Sequence, residues 1–166
     1  WREARGPRGQ ALPGPARPPV AVLVPAHDEA GGIVATLASI TRQLRPGDRL
    51  LVVADNCSDE TALLARACGA EVSERSDPVH RGKGYALDHG LRELAGRPPG
   101  VVVVVDADCE VGEGCIDRLA RRCAAALRPV QALDLMLAPA GAGTKLRYAE
   151  FAWRVKNLVR PLGAAR

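Results

Sequence analysis

An α/β domain built on a mostly parallel sheet with helices on both faces is the architecture this sequence predicts. Three observations point to it. Continuous apolar runs of strand length alternate with segments whose apolar residues recur at helical spacing. One of those runs, Val101–Val105, is five valines in a row, and β-branched residues without polarity on either face suit a strand buried on both sides. The length of 166 residues, with 47% apolar and 25% charged side chains, suits one ordinary packed domain.

The elements follow in order. Residues 1–19 contain five prolines and four arginines against one glutamate, so they read as a flexible basic leader. Most of the net charge of +4 sits there, which leaves residues 20–166 nearly neutral. A nucleic-acid-binding face, which would spread cations over the folded body, is not expected. Val20–Val24 predicts a strand ended by Pro25. Ile33, Leu37, Ile40 and Leu44 predict a helix closed by Pro46-Gly47. Leu50–Val53 is a second strand. Ser58 and Asp59 are candidate caps for a helix running to Cys68, with Gly69 as its stop. Ala70–Ser73 is a short third strand. Leu87, Leu91 and Leu94 share a face of a helix over 84–94, and Ile116, Leu119, Ala120, Cys123 and Leu127 mark another. Alternating Leu133, Leu135 and Leu137 suggest a half-exposed strand. Tyr148, Phe151, Ala152, Val155, Leu158 and Val159 suggest an amphipathic helix before Pro161-Gly163.

Five cysteines without a CxxC pair argue for reduced thiols and a cytoplasmic setting, and the scattered histidines show no zinc spacing. No run of about 20 apolar residues predicts a membrane-spanning helix. Aromatics are only 3% of the chain, so the core must rest on Val, Leu, Ile and Ala.

Ligands of such sheets bind beyond the carboxyl ends of the strands. Three acidic segments fall there: Pro25 to Glu29, Asp55 to Asp59, and Asp106-Ala107-Asp108. Asp106 and Asp108 stand two apart in an extended segment, so both carboxylates point one way. Paired carboxylates suit a hard cation such as Mg2+ or Mn2+, or a solvated acidic loop. Asp55 suits a hydrogen bond to a base or ribose, or a turn role. Glu29 suits support of a basic group or a helix cap. Arg81-Gly82-Lys83-Gly84 opens a helix with glycines and a cation, which fits either an anion site or a surface turn.

Taken together, VPAHDE after the first strand, VVADNCSDET after the second, RGKGYAL at the third helix and VVVVVDADCE after the fourth strand resemble glycosyltransferase family 2. The resemblance covers roughly Val20 to Met136, with the motifs in the family's order. It implies a GT-A fold, of the nucleotide-diphospho-sugar transferase type, that binds a nucleotide-diphosphate sugar with Mg2+ or Mn2+ for inverting transfer to an acceptor such as a growing polysaccharide. By motif position, Pro25, Ala26 and Glu29 would line the nucleoside pocket. Asp55 would contact the base, Lys83 would lie near the nucleotide, Asp106 would contact ribose or metal, and Asp108 would hold metal and diphosphate. Ala54 departs from the Asp-Asp common in relatives, and His27 receives no role. The segment YAEFAWRVKNLVRPLG looks like the one that follows this half in membrane-associated polysaccharide synthases.

The family's downstream general base and its Gln-x-x-Arg-Trp segment have no counterpart before Arg166. Glu110, Glu113, Asp117, Asp134 and Glu150 carry no family motif. Residues 20–166 are therefore expected to be the donor-binding half of a longer protein, weakly active or inactive alone. The expected partners are a donor, an unidentified acceptor, and a missing C-terminal half or a synthase at the cytoplasmic face of a membrane. The alternative is an inactive interaction fragment using the Phe151/Val155/Leu158 stripe. A phosphotransferase of the haloacid-dehalogenase type, suggested by Asp106-Ala107-Asp108 alone, lacks the Gly-Thr that should follow.

Overall fold

The computed structural model describes residues 16–159. These divide into two compact units, one ending at Val130 and a second beginning at Gln131. Residues 1–15 of the leader and Pro161-Gly163 lie outside the described residues.

In the first unit four parallel strands form one sheet, in the order β3-β2-β1-β4. The strands are β1 (Val20–Ala26), β2 (Arg49–Asp55), β3 (Glu71–Arg75) and β4 (Val101–Val104). Between them run α1 (Ile33–Thr41), α2 (Thr61–Ala67) and α3 (Lys83–Ala95), and α4 (Cys115–Ala126) follows β4. The expected α/β class with a parallel sheet is therefore the one the chain forms.

Strand β1 lies at the centre because both of its faces are apolar. Val20, Val22, Val24 and Ala26 point to one side, where α1, α2 and α4 contribute Ile33, Leu37, Ile40, Ala65, Ile116 and Ala120. Ala21 and Leu23 point to the other, against Ala86 and Leu94 of α3. Each fully buried Val, Leu or Ile adds about 1.5–3 kcal/mol of transfer free energy. An aliphatic core of this extent stabilises the sheet without aromatic side chains.

Of the expected apolar face of α3, Leu94 is buried and Leu87 packs beside it, and the face departs from expectation at Leu91. Ala86, Gly90 and Leu94 face the sheet, whereas Leu91 is 48% exposed. Small side chains at 86 and 90 let the helix lie close to β1 and β2, and leucine spacing alone does not reveal that. At α4, Leu127 caps the helix in a left-handed conformation and is 91% exposed, so it leaves the apolar face. Ser58 is not a cap either. Its N–H and hydroxyl bind Asp28, and α2 begins at Thr61, whose N–H donates to Asp59 Oδ1. Strand β3 runs two residues further than expected, to Arg75.

Ala16–Pro19 run directly into the sheet. The Arg17 guanidinium donates twice to the Asp48 carboxylate, at 3.0 and 2.7 Å, and Asp48 also accepts the N–H groups of Val20 and Arg45. These donors hold the Asp48 carboxyl below the ordinary carboxylate range against the opposing effect of burial.

In the second unit the expected strand over Leu133–Leu137 does not form. The three leucines are 42–70% exposed and the backbone makes no ladder, because alternation yields a strand only where a neighbouring edge accepts its N–H and C=O groups. Helix α5 (Thr144–Arg154) does form and continues as a π-helical turn over Val155–Val159. None of its residues is buried, and Tyr148 and Phe151 are exposed. No helix among the described residues is long and apolar enough to cross a membrane.

Candidate functional site

The chain order of the strands creates the site. From β1 the chain steps outward to β2 and β3, then returns to place β4 on β1's other side. At such a reversal the loops after the two strands diverge and leave a crevice at the carboxyl edge. A pocket of about 610 Å3 occupies that edge. Its wall includes Pro25, Ala26, Glu29, Asp55, Lys83, Asp106 and Asp108. All seven sequence-selected residues thus converge on one cavity, from three strand ends and one helix start.

The wall after β4 is fixed by α1. Ala107 is buried and its carbonyl accepts the Thr36 hydroxyl at 2.7 Å. Ser39 of the same helix and Gln43, just past its end, continue the anchorage. The Val111 N–H donates to Ser39 Oγ at 3.0 Å, and the Gln43 amide donates to the Val111 carbonyl at 3.0 Å. Thr36 and Ser39 share a face of α1 and Gln43 continues it in the turn past the helix end, so a polar stripe holds the loop beyond β4. With Ala107 turned inward, Asp106 and Asp108 both turn out towards the pocket. Ligand atoms of Asp106, Asp108 and Cys109 lie within 4.8 Å of one another.

The loops after β1 and β2 lock each other. The Ser58 N–H donates to Asp28 Oδ1 at 2.7 Å, the Ala30 N–H to Asp59 Oδ2 at 3.0 Å, and the Glu29 N–H to Thr61 Oγ1 at 2.8 Å. Asp28 adopts φ +53°, a left-handed conformation that aspartate tolerates because its carboxylate can bond locally. The Ser58 N–H lowers the Asp28 pKa, and the Thr61 hydroxyl with the Ala30 N–H lowers that of Asp59. His27 Nδ1 donates to the Asp55 carbonyl at 2.7 Å, and Nε2 lies 3.8 Å from Asp28 Oδ2. His27, Asp28 and Cys57 form a second group with metal-ligand chemistry. Their bonds are directed inward, since Asp28 holds Ser58 and the Cys57 thiol donates to the Ala26 carbonyl. Burial raises the Cys57 thiol pKa, so it is not an activated nucleophile.

Asp55 sits deeper than its sequence context suggests, at 4% exposure. Arg75 Nη1 and Asn56 Nδ2 both donate to its Oδ1, at 2.6 and 3.0 Å, and Oδ2 is left for a ligand. Arg75 also lies 5.7 Å over the Tyr85 ring and pairs with Asp77. Sequence reading missed Arg75. The signal was the register: Asp55 and Arg75 are direct partners across β2 and β3, and a third strand ended at Ser73 hides that. Asp77 is held down to about 2 by the backbone N–H groups of His80 and Val79, which shape the loop into α3.

Gly82 precedes α3 with φ +110°, a conformation that suits glycine. It aims Lys83 across the pocket, where the ammonium pairs with Asp106. Lys83 thus meets a carboxylate in this structure. Glu29 has no ion-pair partner among the described residues. Its carbonyl, rather than its carboxylate, starts α1 by accepting the N–H groups of Gly32 and Ile33. His27, Asn56, Arg81, Gly82, Ala86 and Ala107 complete the wall.

A parallel α/β sheet with an acidic crevice at its topological reversal defines a strand-end ligand-binding domain. The sequence profile of Glycosyl transferase family 2 matches residues 21–126, which spans all four strands. The chain belongs to that family. It is 39% identical over 103 residues to the probable glycosyltransferase YdaM of Bacillus subtilis, covering 55% of this chain and 23% of that protein. It is 36% identical over 96 residues to glucosyl-3-phosphoglycerate synthase of Mycolicibacterium paratuberculosis, covering 54% and 28%. Among solved structures, glucosyl-3-phosphoglycerate synthase from Mycobacterium tuberculosis in complex with uridine-diphosphate is 32% identical, with a TM-score of 0.47 over 55% of this chain and 34% of that one. The same enzyme with Mn2+, uridine-diphosphate and glucosyl-3-phosphoglycerate gives 0.45 at 32% identity over 54% and 33%. The chain spans about a quarter of the length of each of these two curated relatives.

Proposed function

We propose that this chain is the donor-binding half of an inverting glycosyltransferase, taking a nucleotide-diphosphate sugar with Mg2+ or Mn2+. The observation that carries the reading is the convergence of Pro25, Ala26, Glu29, Asp55, Lys83, Asp106 and Asp108 on one pocket. The donor chemistry fits a hard divalent cation, because two outward carboxylates offer oxygen ligands and leave positions for phosphate. Such an ion, when bound, neutralises the diphosphate leaving group.

The chain's own residues divide the remaining work. Pro25 and Ala26 give an apolar floor for the nucleoside. Asp55, braced by Arg75, presents Oδ2 to a base N–H or ribose hydroxyl. Asp106 and Asp108 hold the cation, Lys83 serves the phosphates, and α1's polar stripe keeps the two aspartates in place. The relatives in sequence support this reading, since their names include a probable glycosyltransferase and a glucosyl-3-phosphoglycerate synthase. A polysaccharide acceptor, a location at the cytoplasmic face of a membrane and a synthase partner belong to the same proposal.

Calorimetric titration with the common nucleoside diphosphates, each with and without Mn2+, tests it. Binding of at least one that strengthens with Mn2+ supports the reading. A folded chain that binds none of them removes it. The exposure of Tyr148 and Phe151 favours a second reading, an interaction module built on α5. Loss of binding to a purified remainder of the synthase in a Phe151→Ser variant would support that reading; unchanged binding would remove it.

A further inference from the structure

We propose that Lys83 is a stand-in for the divalent cation, and that metal and nucleotide diphosphate therefore enter this site as a mutually dependent pair. The inference rests on the donor-site reading above and deepens it. Its starting point is the ion pair between the Lys83 ammonium and the Asp106 carboxylate, one of the two groups assigned to the metal. Asp108, the other, has no ion-pair partner among the described residues. One of the two carboxylates is thus neutralised by a cation that the protein itself supplies.

Charge dictates the consequence. The pocket wall carries four carboxylates, Glu29, Asp55, Asp106 and Asp108, against Arg81, Lys83 and the Arg75 that pairs with Asp55 from behind the wall, an excess of one negative charge. A nucleotide diphosphate arriving alone meets an excess of negative charge. A metal ion arriving alone finds one of its two carboxylates held by an ammonium, which also repels it. When both arrive, each removes the other's obstacle. The diphosphate draws Lys83 away from Asp106, and the metal takes the place that Lys83 leaves.

Magnitude decides whether this exchange is feasible. The Lys83 and Asp106 side chains are 54% and 49% exposed. Exposed pairs of this kind are weak and shift a competing equilibrium by at most about fivefold. A pair buried as deeply as Asp55 and Arg75 would lock the site closed; this one is light enough for a ligand to open. Lys83 is also the first residue of α3, so its flexible stem can swing without disturbing the helix or the left-handed Gly82.

The test measures Mn2+ binding to the full chain from the loss of the free-ion electron paramagnetic resonance signal. It is run with Mn2+ alone and then with each common nucleoside diphosphate. The proteins are wild type, Lys83→Met, Lys83→Arg and Asp108→Asn, each checked for folding by circular dichroism. Lys83→Met is expected to bind Mn2+ alone about three- to fivefold more tightly than wild type. The nucleotide should then tighten Mn2+ binding less in Lys83→Met than in wild type. Lys83→Arg, which keeps the charge, should resemble wild type. Unchanged or weaker Mn2+ binding by Lys83→Met, with Asp108→Asn abolishing it, overturns the stand-in role while leaving the donor site intact. Lys83→Arg behaving like Lys83→Met also overturns it, because the effect then does not follow charge. Absence of Mn2+ binding in every protein and with every nucleotide overturns both this inference and the donor-site reading.

Discussion

Gly90 holds α3 against the sheet, and replacing it by alanine tests that packing. A Cβ at this position would lie 2.4 Å from Leu23 Cδ1, 3.2 Å from Leu23 Cδ2 and 3.0 Å from Val53 Cγ2. Leu23 and Val53 are both fully buried, and Val53 is β-branched with little rotameric freedom, so neither yields easily. Overpacking of this kind costs about 1–3 kcal/mol. Against it stands the helix preference of alanine over glycine, about 1 kcal/mol in the opposite direction. With three contacts inside 3.3 Å the steric term wins, and Gly90→Ala should destabilise by about 1–2 kcal/mol. Gly84→Ala, near the start of the same helix, meets nothing within 4 Å and should stabilise by about 0.5–1 kcal/mol. Urea unfolding of the two variants beside wild type gives both values. A Gly90→Ala midpoint at or above that of wild type would refute the close approach of α3 to β1 and β2.

Three further outcomes follow from the geometry. Arg75→Met strips a buried carboxylate of its cation and should cost about 2–4 kcal/mol, below the full buried-pair range because Arg75 is 13% exposed; urea unfolding checks it, and a loss under about 0.5 kcal/mol would contradict the pairing. Acid should weaken the fold through Asp77, whose folded pKa of about 2 lies below its ordinary value of 3.8. A depressed carboxyl stabilises above its unfolded pKa and loses that contribution as pH falls through the folded value, so the urea midpoint should drop between about pH 4 and 2, and less so in Asp77→Asn. Thr36→Val leaves the buried Ala107 carbonyl without its donor, so stability should fall by about 1–3 kcal/mol, and Mn2+ binding should weaken as the Asp106–Asp108 loop loosens; unchanged values for both would remove α1 as the support of that loop.

Much of the site was legible because strand ends are. The valine run delivers Asp106 and Asp108, Val20–Val24 delivers Pro25 to Glu29, and the general rule for parallel sheets places both at one edge. What escaped the sequence depends on contacts between segments far apart in the chain. Arg75 reveals itself only through its register with Asp55, and the stripe of Thr36, Ser39 and Gln43 acts on a loop some 70 residues away. The apolar face of α3 was legible at Leu87 and Leu94 but not at Leu91, because leucines advertise a helix face more loudly than the alanine and glycine that pack closest. Leu133–Leu137 had the right alternation and no strand to pair with. Lys83 was recognisable as a cation at a helix start, but its carboxylate partner follows only from the fold.

The most direct trial of the donor site is calorimetry on wild type and Asp108→Ala with Mn2+ and the nucleoside diphosphate that binds best. Asp108 is exposed and supports no core packing, so the variant should unfold at the same urea concentration as wild type. Binding that is Mn2+-dependent in wild type and loses that dependence in Asp108→Ala is the predicted result. Equal Mn2+-dependent affinity in the two proteins would contradict the assignment of the cation to this pocket.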